Sequence, residues 1–326
     1  MAWGAAWTMR TLLFLFLLHC VHVVMAAEPA PAGASAAAAC QPAALAAMQR
    51  RTPVAAYYEL KLAAVQGRVI EWGIGGAPRS VPLAALQVAV AGSHGYAVDS
   101  RHRLITWVAG SNQRDVLLDN TVWLAAGDSG LMAIRCDGSL WRRATGAPQW
   151  SRVAGAAVHA WVGDGADYYV DPVGGLYVQG KAHRGQYGDG KLTEGAGWTR
   201  VATDAVAVVA HTGHALYLRR DGAVLGTGGN RFGPLGHHGL GDKADVWGVI
   251  FDAAATLATG SRHSLVIRAD RSLWVWGAED GVAPKQVLAA VLGAAGGLHD
   301  SVALTADGAL WNWLPGKLPQ QLVLPP

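Results

Sequence analysis

An all-β repeat architecture is predicted, with seven two-strand units set as blades about an axis or stacked as a solenoid, from three observations. A strand, a tight turn and a second strand opening on Leu or Val recur along the chain. Apolar residues alternate within each strand. The copies return at a regular interval: the aliphatic residue opening the second strand falls at Val69, Leu104, Leu140, Leu176, Val224, Leu273 and Leu310, giving spacings of 35, 36, 36, 48, 49 and 37 residues.

The first strand of each unit shows its buried face as a pair of residues eight and six before that anchor. The pairs are Lys61 and Ala63, Tyr96 and Val98, Met132 and Ile134, Tyr168 and Val170, Leu216 and Leu218, Leu265 and Ile267, Val302 and Leu304. Residues two apart share a face of a strand, and only Lys61 breaks the apolar rule. In the second strand aromatics stand one or three positions after the anchor: Trp72, Trp107, Trp141, Tyr177, Trp274, Trp276, Trp311 and Trp313. A stripe of this kind packs neighbouring sheets together.

The joining turns carry their own chemistry. Asp137-Gly138, Asp221-Gly222 and Asp307-Gly308 supply the positive backbone dihedrals of a tight hairpin. Gln66-Gly67 and Gly174-Gly175 are looser versions, and Arg101-His102 and Asp270-Arg271 are degenerate. Thirteen residues before the anchor a glycine recurs at Gly127, Gly163, Gly260 and Gly297 and opens the unit.

On these residues the chain resembles the regulator of chromosome condensation repeat family, whose fold is a seven-bladed β-propeller. The resemblance covers nearly everything from about Pro53 to the C-terminus. Two units keep the family's glycine-rich extension, as Gly185-Gln186-Tyr187-Gly188-Asp189-Gly190 and Gly233-Pro234-Leu235-Gly236. The family histidine, ten residues before the anchor, appears as His94, His214 and His263, whereas Glu59, Gly130, Ala166 and Asp300 stand in the other units. Those histidines are expected to be structural hydrogen-bonding groups. Because five units lack the extension, some blades are expected to be short and to miss outer strands. No Trp-Asp dipeptide of the WD type occurs.

The N-terminus sets the expected compartment. Arg10, the apolar run from Leu12 to Val24 and the small residues Ala26 and Ala27 describe a secretory signal peptide over residues 1–27. The run holds His19 and His22 and falls short of the ~20 apolar residues that span a bilayer. Export to the periplasm or medium is expected, with no membrane span after signal removal. Residues 28–52 read as an Ala/Pro-rich tether with a short helix, and 53–326 as the propeller. Leu318-Pro319-Gln320-Gln321-Leu322-Val323 echoes Pro284-Lys285-Gln286-Val287, so the C-terminal strand is expected to pair within the blade around Val54 to Trp72 and close the ring.

After signal removal two cysteines remain, Cys40 and Cys136, which an oxidising compartment allows either as a disulfide stapling the tether to the third blade or as two free thiols. Charge excludes one class of partner. The mature chain keeps 25 Lys plus Arg against 23 Asp plus Glu, and its basic residues come as isolated pairs such as Arg50-Arg51 and Arg142-Arg143. That is no nucleic-acid footprint.

Strings that look catalytic are explained by the repeat. Gly127-Asp128-Ser129-Gly130 resembles the nucleophile segment of a serine protease but occupies the opening position of a unit, like Gly260-Ser261-Arg262-His263. Gly226-Thr227-Gly228-Gly229 lacks the acidic partner of a dinucleotide site. His237-His238 would need third and fourth metal ligands that the sequence does not supply. No cofactor, metal or catalytic set is expected.

The two longest intervals hold what the repeat leaves unexplained. They insert residues 181–198 and 230–247 in consecutive units, so both excursions should leave adjacent blades. One patch would then gather His183, Arg184, Tyr187, Asn230, Arg231, Phe232, His237, His238 and Trp247, a composition of arginine and aromatics that suits binding. The competing reading makes these segments outer strands with Tyr187 and Leu235 tucked inside.

The function expected is therefore an exported, monomeric, non-enzymatic scaffold that binds another protein, as yet unidentified. The family includes an exported seven-bladed inhibitor of β-lactamase, which makes that role familiar for the fold. One alternative is a glycan or cell-wall binder that stacks sugars on surface tryptophans. Another is a propeller enzyme, a lyase or hydrolase, with polar groups at the axial mouth.

Overall fold

The computed structural model describes residues 40–73, 76–195, 197–238 and 241–325, so the expected signal peptide and most of the tether lie outside the described residues. Its hairpins are organised by aspartates. Asp137 Oδ1 accepts the Ser139 N–H at 3.0 Å, Asp270 accepts Ser272 at 2.9 Å and Asp307 accepts Ala309 at 3.2 Å, each fixing the chain as it reverses. The turn also needs a residue in the left-handed region. Gly138, Gly222 and Gly308 take φ of 81°, 89° and 85° there, while His102 and Arg271 adopt 59° and 64° without glycine's freedom. The degenerate turns therefore keep the geometry of the glycine turns.

From these hairpins grow seven four-stranded antiparallel sheets. In chain order the blades run over residues 54–81, 85–118, 121–154, 159–202, 205–251, 254–288 and 291–321. The expectation of missing outer strands is corrected: every blade has a fourth strand, and brevity takes its place, from Lys243–Phe251 in blade 5 to Gln320–Gln321 in blade 7. A short connection is enough to bring the chain back beside the third strand, so the glycine-rich extension is not required for it.

The aromatic stripe divides by depth. Trp72, Trp107, Trp276 and Trp313, three after the anchor, are buried, and truncating one should cost about 3 to 5 kcal/mol. Trp141, Trp274 and Trp311, one after the anchor, are half-buried beside the turn and donate their indole N–H to Ser139, Ser272 and Thr305. Arg268 lies over Trp274 at 4.4 Å, covering the outer face of the indole.

Each pair of neighbouring blades is also joined by a polar link. Trp107 Nε1 donates to Glu71 Oε2 at 2.6 Å between blades 1 and 2. Gln87 exchanges two hydrogen bonds with the Leu124 backbone between blades 2 and 3. Arg142 meets Asp167 at 2.7 Å between 3 and 4, and Trp161 donates to the Ala210 carbonyl at 2.7 Å between 4 and 5. His214 Nε2 pairs with Thr259 Oγ at 2.7 Å between 5 and 6, and His263 Nε2 with Ser301 Oγ at 2.8 Å between 6 and 7. The structural role expected of the repeat histidines holds for these two. His94 departs from it, being exposed and stacked on Tyr96 at 6.3 Å.

Ring closure differs from the sequence expectation. The C-terminal strand Gln320–Gln321 pairs with Leu310–Trp313 of its own blade, and blade 1 completes itself with Val54–Tyr57 as its inner strand. That inner strand fills the place beside Leu60–Val65 that an incoming C-terminal strand would have taken. The seam is closed by side chains instead: Lys61 Nζ reaches Asp300 Oδ2 at 2.6 Å, Leu322 and Leu324 pack on the blade 1 core, and Arg68 donates to the Pro325 carbonyl at 3.0 Å.

Before blade 1 the chain forms α1, Pro42–Met48, with proline in its first turn and Ala44 and Ala47 buried on one face against blade 3. Cys40 is joined to Cys136 in the blade 3 hairpin, their Cα atoms 4.6 Å apart, and Gln41 N–H donates to the Cys136 carbonyl at 2.8 Å. Beyond α1 the chain crosses the axis toward blade 1. On the way Arg51 donates to the Val122 carbonyl at 2.7 Å and approaches His102 at 3.4 Å, in blades 3 and 2. Arg50 acts electrostatically on His159 and Arg220, in blades 4 and 5. The segment after α1 thus spans one end of the ring, where Thr52 lines the axial channel.

Candidate functional site

In an antiparallel four-stranded blade, the first and third connections emerge at one end and the second at the other. The second connections are the aspartate turns, on the side covered by α1. The opposite end carries the long loops after the third strands of blades 4 and 5, together with the seven inner hairpins that ring the axis. Two features share this end.

The first is a groove between blades 4, 5 and 6. The structure brings His183, Arg184, Arg231 and Phe232 of the sequence-predicted patch into it and adds Lys243, Thr212, Ser261 and Arg262. Arg262 lies 4.4 Å and Arg231 5.8 Å from the centre of the Phe232 ring, so the exposed aromatic has two cations beside it. Arg184 is anchored by donating to the Thr212 carbonyl at 3.2 Å. Four cationic side chains face the groove against the single carboxylate of Asp242.

Tight packing holds the groove's wall. Asn230 Oδ1 accepts the Leu235 N–H at 2.9 Å and its amide donates to the His238 carbonyl at 3.0 Å. Trp276 and Ser264 of blade 6 both donate to the Pro234 carbonyl, at 2.8 and 2.7 Å. Asn230 therefore shapes the loop from within.

The rest of the predicted patch lies elsewhere. Tyr187 is buried with its hydroxyl donating to the Gly180 carbonyl at 3.1 Å, and Leu235 is buried beside it in sequence role, as the outer-strand reading required. Trp247 is half-buried, donates to the Tyr187 carbonyl at 3.0 Å and stands edge-on to Tyr217 at 4.8 Å. Gly188 makes this packing work, because a Cβ there would run into the Trp247 indole. His238 binds the Val246 carbonyl at 2.9 Å and His237 is exposed outside the groove. Among the described residues no cluster of three or more His, Cys, Asp or Glu is arranged to hold a metal ion.

The second feature is the axial mouth, which sequence reasoning did not assemble. Tyr57 of blade 1 lies parallel to His211 of blade 5 at 5.6 Å and shares a hydrogen bond with Asp128 of blade 3. Burial pushes the Tyr57 hydroxyl far up, and its bond to Asp128 adds to the shift. Burial pulls His211 down to about 4 against the opposing pull of Asp164 and Asp128, so it is neutral at pH 7. Its Nδ1 meets Thr212 Oγ at 2.7 Å, and that hydroxyl meets Ser261 Oγ at 3.1 Å. The one sequence signal was Asp128, within the protease-like string that the repeat had explained as a hairpin opening.

Among the described residues no tryptophan is fully exposed, and Trp141, Trp150, Trp198, Trp274 and Trp311 are half-buried. Among the described residues no helix is long and apolar enough to cross a membrane.

No protein-family description matches the sequence, and no curated protein matches it. Solved structures do. Yeast RCC1 (Prp20), in a crystal structure with Kap60 bound, superposes with a TM-score of 0.65 at 16% identity, over 76% of this chain and 78% of that one. Human WBSCR16 gives 0.53 at 18% identity, over 83% and 82%. The CRINKLY WD40 ectodomain of the Arabidopsis thaliana receptor kinase ACR4 gives 0.54 at 12%, over 85% and 99%. The fold is thus a seven-bladed β-propeller like that of RCC1.

Proposed function

We propose that this protein is an exported β-propeller scaffold that binds another protein through the groove between blades 4, 5 and 6. The observation that carries the reading is the pairing of Arg262 and Arg231 with the exposed Phe232 ring on a loop held rigid by Asn230, Ser264 and Trp276. Arginine and aromatic anchors on a fixed backbone lose little entropy when they bind, which is what makes such residues carry affinity. Protein partners are also a habit of the fold: the yeast propeller has been crystallised with Kap60 and studied for its binding to Gsp1p and histones. Export rests on the N-terminal pattern of Arg10, the apolar run and Ala26-Ala27.

The test is capture from the native host's envelope and culture fluid. One protein enriched by the wild type and lost with Phe232→Ala and Arg262→Ala supports the groove as the site. Enrichment unchanged in both variants moves the site away from it.

A second reading takes the axial mouth as a place where a small molecule is held or acted upon, and it is favoured by the Tyr57 ring stacked on His211 and by the unpartnered His211 Nε2 at the head of the axial cavity. This is the propeller-enzyme alternative in its structural form, and it is independent of the groove.

A further inference from the structure

The axial channel is a blind pocket. Ala89, Ala126, Ala210, Ala258 and Ala295 line its walls, and Thr52 lies where the α1 segment crosses its floor. About 70 Å³ is left inside for the centres of water-sized molecules, room for several waters or one slender chain. Polar wall groups are already satisfied: the Gln87 amide is used in both directions by Leu124, and the Thr259 hydroxyl by His214 and the Gly260 and His263 carbonyls. Water would find few partners there, whereas methylene groups would be freed from water by entering.

The mouth differs in kind. The His211 ring lines the cavity and is 8% exposed, its Nδ1 is engaged by Thr212, and its Nε2 has no partner. A buried nitrogen left unmatched in this way calls for a hydrogen-bond partner, which a ligand atom at the mouth can supply. The charges that act on the mouth are negative: Asp128 and Asp164 bear on both His211 and Tyr57. With Nδ1–H donating to Thr212 Oγ, Nε2 becomes an acceptor in the field of Asp128 and Asp164.

We propose that the axial pocket binds a free aliphatic primary amine, with its ammonium group at Asp128, Asp164 and the His211 Nε2 and its alkyl chain along the alanine walls. The inference rests on the second reading above and gives that site its ligand class. A lysine side chain does not fit equally, because it would enter tip first and carry its ammonium past the carboxylates into the apolar walls. A free amine enters tail first and leaves the charge at the mouth.

Isothermal titration calorimetry on the purified protein tests this with n-butylammonium and n-hexylammonium, against hexanoate, hexanol and Nα-acetyl-lysine amide. Binding at one site per chain is expected, strengthening about fourfold for each added methylene until the chain meets the floor. Hexanoate and the lysine amide should bind at least tenfold more weakly than hexylammonium. Asp128 and Asp164 are exposed, so the double variant Asp128→Asn, Asp164→Asn should keep the wild-type melt and lose about tenfold in hexylammonium affinity. Ala126→Leu, which fills the channel, should abolish the chain-length dependence. Hexanol or hexanoate binding as well as the ammonium overturns the ligand class while leaving a small-molecule mouth. No saturable binding by any probe overturns the axial site itself.

Discussion

Lys61 and Asp300, 239 residues apart in sequence, meet at 2.6 Å across the joint between the first and last blades. Lys61 is 2% exposed, and the carboxylate it meets stands at the position where other units carry the repeat histidine. The one polar exception in the buried alternation of the sequence is thus the residue that joins the two ends of the ring.

Breaking that pair from one side leaves a buried charge without a partner. Lys61→Met should destabilise the protein by about 3 to 5 kcal/mol in chemical denaturation, because Asp300 keeps its desolvation penalty. The double variant Lys61→Met, Asp300→Leu should recover most of the loss, since two apolar side chains do not need each other's charge.

Acid should loosen the inter-blade links. Burial holds His159 and His214 at about 3, and His211 and His263 at about 4, against an unfolded value near 6.5. Folded-state values below the unfolded one mean that the unfolded chain takes up protons first. Stability is therefore full above about pH 6.5 and falls as the pH drops toward 4, each histidine removing about 2 kcal/mol by pH 5. Denaturation curves at pH 7 and pH 5 check this, and His214→Gln should flatten the dependence.

Reduction should uncover the closed end of the channel. The bond between Cys40 and Cys136 spans 96 residues and holds α1 on blade 3, so Cys40→Ser should cost about 2 to 4 kcal/mol. Arg50 and Arg51, half-buried in the oxidised protein, should then become the first trypsin cleavage sites, read by mass spectrometry of the early fragments.

Arg271→Gly should stabilise the protein by up to about 1 kcal/mol. Arg271 is exposed and held at φ 64°, so glycine removes the left-handed penalty while its own greater entropy loss offsets part of the gain. Thermal melts of the variant and of Arg271→Ala, which should gain nothing, separate conformation from side-chain loss.

The hairpins were legible in the sequence because each rests on neighbours in the chain. Asp137, Gly138, Ser139 and Trp141 form a local unit, and the same offsets recur at Asp270, Ser272 and Trp274. Closure was misread because the echo around Gln320 reports a strand's shape and not its neighbour, which depends on whether Val54–Tyr57 already fills the blade. The sites were harder still. Arg262 reaches Phe232 from the next blade, and His211 meets Tyr57 from the far side of the ring. Such meetings follow from the circle, and no spacing along the chain announces them. Tyr187 was open to two readings, surface aromatic or tucked inside, because its loop is long, and the choice turns on Gly188, which lets Trp247 close over it.

Since no strand is shared between the first and last blades, the natural ends of this propeller sit at a boundary of the same kind as the other six. The chain could begin at another blade, with its present ends spliced, and still build the same wheel. Six kinds of contact serve the seven boundaries, only the two imidazole-to-hydroxyl joints being alike: indole to carboxylate, amide to backbone, guanidinium to aspartate, indole to carbonyl, imidazole to hydroxyl twice, and ammonium to carboxylate.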